Sequence, residues 1–294
     1  MLAVMNGERD KRFHQGPGRG RPLPGRGRPG EPGGSSGQGG RGKGTSWEHV
    51  AAWYDKLTGD GGSDYHRHLL IPAALRLLDI KGGQKVLDLC CGQGVLARAL
   101  AEAGAAQVVG VDLSPALIQA ARGRGGSGNL RYVVADARAL GPLADGSFDA
   151  GACLMAVHDV DDAGALFVNL AAALKPGARA ALLMMHPCFR IPRQSHWGWD
   201  DQLKTQYRRI DRYASEIAIP IATHPGAKPG EHTMFFHRPL ATYLRLLAAA
   251  GLAVTGGEEL LSHHRSEPGG RSRAENRARD EFPVFLALQL LKLP

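Results

Sequence analysis

The feature that most constrains the fold is a strand–turn–helix pattern that begins at residue 85. Residues 85–94, KVLDLCCGQG, join a short apolar run to a glycine-rich turn, and residues 95–104, VLARALAEAG, continue with helical periodicity. A second apolar run, VVGVD at 108–112, follows and ends in an acid. Apolar runs that alternate with helices are typical of a parallel sheet covered by helices on both faces. The pattern therefore predicts an open α/β sheet.

The same alternation continues to the end of the chain. Predicted strands cover residues 86–90, 108–112, 130–136, 148–156, 178–186, part of 252–260, and 282–291. Predicted helices cover residues 46–57, 65–80, 95–104, 114–124, 161–174 and 239–251. The polar stretch 263–281 predicts a loop. Right-handed crossovers between such strands give a doubly wound, mostly parallel sheet, with two helices before its first strand.

Two segments stand apart from this alternation. Residues 1–44 end in a long run of almost only Gly, Pro, Arg, Ser and Gln, which cannot offset the entropy of ordering, so they predict a disordered tail. This tail holds nine basic and three acidic residues, so +6 of the net charge of +8 belongs to it. The folded domain is expected at 45–294. Within it, the aromatic and charged residues 187–237 predict an insertion packed over the carboxyl-terminal edge of the sheet, as a lid over a substrate site there.

Composition argues against several classes of protein. No apolar run approaches the ~20 residues that a membrane-spanning helix needs, and the N-terminus lacks the apolar segment of a secretory signal. The four cysteines form no Cys-x-x-Cys pair, and the histidines share no spacing that supports a metal site. These features predict a cytoplasmic protein with reduced thiols, no metal and no contact with a membrane.

The glycines and acids at the strand ends predict a ligand site. In an open α/β sheet, ligands bind beyond the carboxyl ends of the strands. Gly92 and Gly94 lie there, directly before a helix, and allow a ligand to approach the backbone closely. Asp112, at the tip of the next strand, can accept hydrogen bonds from two ribose hydroxyls. An adenosine-containing cofactor is the class that this arrangement favours.

Asp88 bears on which adenosine cofactor binds. Residues 92–97, GQGVLA, formally match the G-x-G-x-x-A pattern of dinucleotide sites. However, Asp88 lies in the preceding strand, where a carboxylate would repel a pyrophosphate. S-adenosylmethionine instead carries a sulfonium and an ammonium group, which a carboxylate attracts. The residues therefore favour S-adenosylmethionine and leave a nicotinamide-dependent oxidoreductase as an alternative.

Four stretches together resemble the motifs of class I S-adenosylmethionine-dependent methyltransferases. They are VLDLCCGQG at 86–94, GVDLS at 110–114, VVADARALGPLADGSFDAGACLMAVHDV at 133–160 and LKPGARAALLMMHPCF at 174–189. The resemblance covers about residues 47–294 and is tight from 85 to 186. It implies a seven-stranded sheet whose last strand, at 282–291, is antiparallel, with the N-terminal helices as a cap.

The resemblance also implies roles for individual residues. Asp88, Cys90 and Gly92 would line the methionine part of the cofactor, and Tyr54, in the cap, would contact its carboxylate. Asp112 would hold the ribose hydroxyls. The adenine would be bound by Leu113, Asp136 and Ala137.

Two histidines are candidates for catalysis, because His158 follows the fourth strand and His186 ends the fifth. Both should face the methyl group, where a base is needed if the acceptor is a hydroxyl or an acidic carbon. The predicted reaction is transfer of a methyl group to an O, N or C atom of a small molecule by in-line displacement. The alternative within the family is methylation of RNA or protein, with weak nucleic-acid contact through the basic tail.

Overall fold

The computed structural model describes residues 47–126, 128–222 and 232–294, so the predicted tail at 1–44 lies outside the described residues. The strands are β1 Lys85–Leu89, β2 Gln107–Asp112, β3 Leu130–Val134, β4 Phe148–Leu154, β5 Leu174–Met185, β6 Ser195–Asp200, β7 Thr205–Ile210, β8 Ile217–Ala222, β9 His232–His237, β10 Leu252–Leu260 and β11 Phe285–Lys292. The α-helices are α1 Ala51–Thr58, α2 Ile71–Leu78, α3 Val95–Glu102, α4 Pro115–Gly123, α5 Ala163–Ala173, α6 Leu240–Ala249 and α7 Ser272–Glu281.

Seven strands form the central sheet in the order β10-β11-β5-β4-β1-β2-β3. Strands β1 to β5 pair in parallel, whereas β11 is antiparallel to both of its neighbours. The doubly wound, seven-stranded fold with an antiparallel last strand is therefore confirmed. The order reverses direction between β1 and β4, and their carboxyl ends form the crevice where ligands bind in such sheets.

Apolar residues cover both faces of this sheet. Along β1, Val86 belongs to one buried cluster, and Leu87 and Leu89 belong to the other. The first cluster also includes residues of α2, α3 and α4, and the second includes residues of α5 and α6. Because successive strand side chains point to opposite faces, a strand buried on both faces must be apolar at nearly every position. Asp88, which points into the first face, is the exception in β1.

The predicted insertion at 187–237 contains two antiparallel hairpins, β6–β7 and β8–β9, apart from the central sheet. Strand β9 lies against the 3-10 turn Val157–Asp159, which follows β4. The hairpin β8–β9 therefore lies beside the carboxyl end of a central strand. That this segment acts as an acceptor lid stays a prediction.

The expected loop at 263–281 is wrong in its second half, where α7 forms. Only Ala278 of this helix is buried, so its charged sequence carries no apolar stripe that would indicate a helix. An ion pair between Arg265 and Asp280, 2.5 Å apart, ties the preceding loop to α7. Among the described residues, no helix has the length and apolar character that crossing a membrane requires.

Candidate cofactor and active site

The turn between β1 and α3 forms the floor of the candidate site. Gly92 and Gly94 have φ angles of 55° and 82°, in the left-handed region. A Cβ at Gly94 would lie 2.5 Å from Tyr132 Oη, so the turn packs tightly on that side. A Cβ at Gly92 would meet only the Tyr54 ring, at 3.9 Å. Gly94 therefore fixes the turn, while Gly92 presents open backbone toward Tyr54 of the cap.

Asp88 is almost completely buried, with 1% of its surface exposed. Burial raises the pKa of its carboxyl group to about 8, and the charge of Asp112 contributes to this rise. A hydrogen bond from the Ala97 backbone N–H lowers the pKa and offsets part of the effect. Its Oδ2 has no hydrogen-bond partner among the described residues. A buried carboxylate without a partner costs stability unless a cation or a donor satisfies it.

Asp112 organises the backbone around the turn. Its Oδ2 accepts from the Gly92 N–H at 2.9 Å, and its Oδ1 accepts from the Ser114 N–H at 2.9 Å. Burial nevertheless raises its pKa, and the charge of Glu48 raises it further. Carboxylate oxygens have further lone pairs, so both can still accept from a ligand.

Two acids that the sequence analysis missed also face this region. Burial raises the pKa of Asp159 well above its usual value, with a contribution from Asp112. Glu48 accepts a hydrogen bond from Ser114 Oγ. Asp159 follows the fourth strand, next to His158, and this position was the signal in the sequence that could have identified it as a site residue. The sequence around Glu48 contains no comparable signal.

The cap segment closes over these acids. The rings of Trp47 and Tyr54 pack edge to face, with centroids 5.2 Å apart. Burial raises the pKa of Tyr54 to about 12, so its phenol is protonated at neutral pH and can donate a hydrogen bond. The fold brings the Tyr54 ring beside Gly92, and its contact with the cofactor carboxylate stays a prediction.

Asp136, the predicted acceptor for the adenine amino group, is held by Arg138. The Arg138 Nη2 donates to Asp136 Oδ2 at 2.7 Å, and Nε donates to Oδ1 at 3.0 Å. Arg138 lowers the pKa of Asp136, and it also pairs with Asp161. The sequence analysis missed Arg138, which engages both oxygens of this carboxylate.

The remaining predicted cofactor residues lie at the same edge of the sheet. Leu113 follows β2 and is partly exposed, whereas Ala137 is buried in the second core cluster. Cys90 follows β1 with a φ of 55°. Its free thiol shares a hydrogen bond with the free thiol of Cys153, and this contact together with burial raises the pKa of Cys90 well above the usual value. The Cys90 thiol is therefore protonated at neutral pH.

The two candidate catalytic histidines differ in their contacts. Neither ring nitrogen of His158 has a hydrogen-bond partner among the described residues, and the ring stacks on Phe235 at 4.7 Å. Burial lowers its pKa to about 3, helped by the charge of Arg238. In His186, Nδ1 accepts from the Cys188 N–H at 3.2 Å, so Nε2 carries the proton and donates to Glu259 at 2.9 Å. Both imidazoles are neutral near pH 7, and burial also lowers the pKa of His186.

The charge of the site indicates the kind of ligand it accepts. Asp88, Asp112 and Asp159 all have raised pKa values, because burial and mutual repulsion disfavour their charged forms. A cation relieves this repulsion, whereas a pyrophosphate adds to it. The residues present therefore fit a positively charged adenosine cofactor.

Comparisons with known proteins agree with this chemistry. A family profile described as a methyltransferase domain matches residues 87–182. A "2-phytyl-1,4-naphtoquinone methyltransferase" of a Nostoc species is 32% identical over 188 residues, which are 62% of this chain and 75% of that protein. The chain belongs to the class I S-adenosylmethionine-dependent methyltransferases. Its cofactor is thus S-adenosylmethionine, and the nicotinamide alternative is set aside.

Two further members of this methyltransferase family show how far the likeness extends. A protein of Synechococcus elongatus with the same name is 37% identical over 145 residues, or 47% of this chain. That match covers 61% of the Synechococcus protein, which is less than two thirds of its length. The crystal structure of an S-adenosylmethionine-dependent methyltransferase from Mesorhizobium loti has 30% identity and a TM-score of 0.61. It covers 79% of this chain and 100% of the Mesorhizobium chain.

Proposed function

We propose that this protein transfers the methyl group of S-adenosylmethionine to a small-molecule acceptor. The observation that carries the proposal is the group of buried carboxylates beside the Gly92 turn, of which Asp88 keeps an unpaired oxygen. The names of the Nostoc and Synechococcus relatives favour a ring-containing, largely apolar acceptor of the quinol type. No contact of the described residues indicates a polymer as acceptor.

The cofactor would lie along the carboxyl ends of β1 and β2. Asp88 would attract its ammonium group, and Tyr54 would donate to its carboxylate. Asp112 would accept from the ribose hydroxyls while it keeps its bonds to the Gly92 and Ser114 backbone. The backbone at Cys90 and Gly92 would line the methionine part.

The adenine would bind between the ends of β2 and β3. Leu113 would pack on the ring, and the Ala137 N–H and the Asp136 carboxylate would pair with its edge. Because Arg138 already engages both oxygens of Asp136, this contact requires the guanidinium to share the carboxylate or to turn toward Asp161, its second partner.

The acceptor would enter between β4, β5 and the hairpin β8–β9. When bound, S-adenosylmethionine supplies a methyl group on a positively charged sulfur. The protein's part is to hold the acceptor atom in line, ~3 Å from that carbon, and to exclude water. His158 lies beside the hairpin with no described hydrogen-bond partner on either ring nitrogen, and it is neutral, so it can accept a hydrogen bond from an acceptor hydroxyl and orient it. The bonds of His186 to Glu259 and Cys188 favour a positioning role instead.

Binding of the product nucleoside tests the cofactor half of the proposal. We expect S-adenosylhomocysteine to bind and NAD not to bind in calorimetric titrations. Asp88→Asn should weaken nucleoside binding by ~10-fold or more, as expected for a lost charge-assisted contact. Asp149→Asn is the matched control, because Asp149 lies near the start of β4 and already forms an ion pair with Lys175. Equal affinity in the two variants would contradict the role of Asp88.

A transfer assay tests the acceptor half. Cofactor labelled in its methyl group would be incubated with reduced quinones, other phenols, small amines, RNA and protein. Label should enter small, ring-containing acceptors, which mass spectrometry would then identify. Label recovered in RNA or protein alone would overturn the small-molecule assignment and leave cofactor binding intact.

A further inference from the structure

A cluster of three histidines surrounds one carboxylate outside the cofactor site. Asp64 Oδ2 lies 2.6 Å from His263 Nε2 and 3.0 Å from His264 Nε2. Asp64 Oδ1 lies 3.4 Å from His68 Nε2. The ligand atoms of Asp64, His68 and His263 are all within 4.8 Å of one another. Three imidazole Nε2 atoms thus converge on a single carboxylate.

These distances match the spacing of ligands around a tetrahedral metal ion. Zinc lies ~2.0–2.2 Å from imidazole nitrogen and carboxylate oxygen, which places neighbouring ligand atoms ~3.3 Å apart. The distances from the Asp64 oxygens to the three Nε2 atoms, 2.6, 3.0 and 3.4 Å, lie close to that value or below it. A set of imidazoles with one carboxylate suits zinc and its neighbours among the transition metals, and does not suit magnesium or calcium.

Neighbouring contacts hold the rings in this arrangement before any ion binds. Asp64 and His68 stand four residues apart, one helical turn, at the start of the second helical segment. The buried Tyr65 ring packs edge-on against His263 and His264, with centroids 5.4 and 5.1 Å away. Its hydroxyl lies 3.1 Å from Ser262 Oγ, which fixes the loop that carries both histidines.

We propose that Asp64, His68 and His263 bind one zinc ion, with solvent at the fourth position. Each imidazole coordinates through neutral Nε2, so any proton that this nitrogen carries moves to Nδ1 or to solvent as the ion binds. The ion replaces the hydrogen bonds that Asp64 now accepts. It cross-links the segment before α2 to the loop after β10, between residues that are 199 positions apart.

The cross-link reaches the cofactor turn through the adjoining segment. Gln93, inside the turn, donates from Nε2 to the Gly59 carbonyl at 2.8 Å. Arg98 Nη2 donates to the Asp60 carbonyl at 2.6 Å. Zinc at Asp64 would therefore stabilise a segment that contacts the cofactor turn, from a position outside the reacting groups.

The test is zinc binding by the full-length, untagged protein after treatment with a chelator. Calorimetric titration with zinc should show one ion per chain, and cobalt in its place should give the strong visible absorption of a tetrahedral complex. Zinc should also raise the melting temperature. His263→Ala should weaken zinc binding by at least the ~10- to 100-fold that loss of an outer-shell partner costs.

His196→Ala is the matched control, because His196 forms a similar exposed pair with Asp211, at 3.4 Å, in another part of the protein. It should leave zinc affinity unchanged. His68→Ala is a second ligand variant at a residue whose side chain is 57% exposed, so folding should tolerate it. Absence of stoichiometric binding, or equal affinity in His68→Ala, His263→Ala and His196→Ala, would overturn the proposal. Neither outcome bears on methyl transfer, because the measurement does not use activity.

Discussion

At the residue scale, the apolar surroundings of Asp88 destabilise its charged form in the free protein. Its register neighbours are Gly110 on β2 and Ala152 on β4, and the strands leave its carboxylate inside an apolar layer. The burial that destabilises its charge also strengthens its attraction for a cation, because both effects grow as the local dielectric falls. Asp88 therefore lowers the stability of the free protein and raises its affinity for a positively charged ligand.

The raised pKa of Asp88 predicts how stability depends on pH. The native carboxyl has a pKa of about 8 against 3.8 for the free group, so between these values the native state binds more protons than the unfolded state. The free energy of unfolding therefore falls as pH rises from about 4 to about 8, by at most about 1.4 kcal/mol for each pH unit in this range. Thermal melts of the cofactor-free protein across this range should show the decline.

Asp88→Asn is the variant that isolates this effect. It removes the titrating group and keeps the shape, so its melting temperature should fall less between pH 5 and pH 8 than that of the wild type. Parallel curves for the two proteins would show that Asp88 does not titrate in this range.

The two histidines predict different kinetic and thermal results. His158→Ala should lower kcat by up to ~10²-fold with unchanged affinity for S-adenosylhomocysteine, because the ring stacks on Phe235 of the hairpin and neither of its nitrogens bonds to a described residue, so it is free to orient the acceptor. His186→Ala breaks two hydrogen bonds of a buried ring and should lower the melting temperature by ~2–4 °C for each kcal/mol lost. Steady-state kinetics and calorimetry on both variants check this, and a thermal loss in His158→Ala with normal kcat would reverse the assignment.

At the scale of elements, the turn between β1 and α3 depends on its contact with β3. The Tyr132 ring fills the space beside both Gly94 and Gly110, where a Cβ would approach to 2.5 and 2.8 Å. Three neighbouring strands thus determine the shape of one loop. A small residue in the turn, another on β2 and a large one on β3 belong to a single packing unit.

Gly94→Ala should therefore destabilise the protein through two effects. A φ of 82° costs a residue with a Cβ ~1–2 kcal/mol, and the clash with Tyr132 adds ~1–3 kcal/mol. Gly104→Ala is the matched control, since its φ is 99° but no atom lies within 4 Å of the added Cβ. Urea denaturation should show a larger loss for Gly94→Ala, and equal losses would mean that Tyr132 moves aside without cost.

At the scale of the whole molecule, the N-terminal cap is tied to the cofactor edge of the sheet from several sides. Glu48 accepts from Ser114 Oγ at the start of α4, and Asp55 pairs with Arg124 at its end, at 2.5 Å. Tyr54 lies over Gly92. We therefore expect cofactor binding to depend on residues that precede the first strand by about thirty positions.

These contacts begin at Trp47, so a chain that lacks residues 1–44 should keep its affinity for S-adenosylhomocysteine. In that shortened chain, Tyr54→Ala should lower the affinity by ~10-fold, the effect of one lost polar contact of about 1.4 kcal/mol. Lys56→Ala, on the exposed side of the same helix, should leave it unchanged. Titration calorimetry compares the three proteins. A loss on removing 1–44 alone would assign that segment a part in binding.

Local patterns were enough to predict the central sheet, its helices and the cofactor turn. Strands β1, β2, β4 and the second half of β5 are buried on both faces and are bounded by glycine, proline or a capping Ser114, all of which are readable along the chain. Helix α7 was not predicted, because it buries only Ala278 and its sequence therefore shows no periodic pattern of apolar residues. The same local patterns placed Asp88, Asp112 and Gly92 at one edge, because parallel strands end together.

The tertiary structure alone decided which charges meet. The approach of Asp159 and Glu48 to Asp112, the pairing of Arg138 with Asp161, and the meeting of His263 with Asp64 depend on how distant segments cross. Periodicity and capping act over a few residues, so they fix the elements. Electrostatic contacts act through space between residues as many as 199 positions apart, so only the assembled chain determines them.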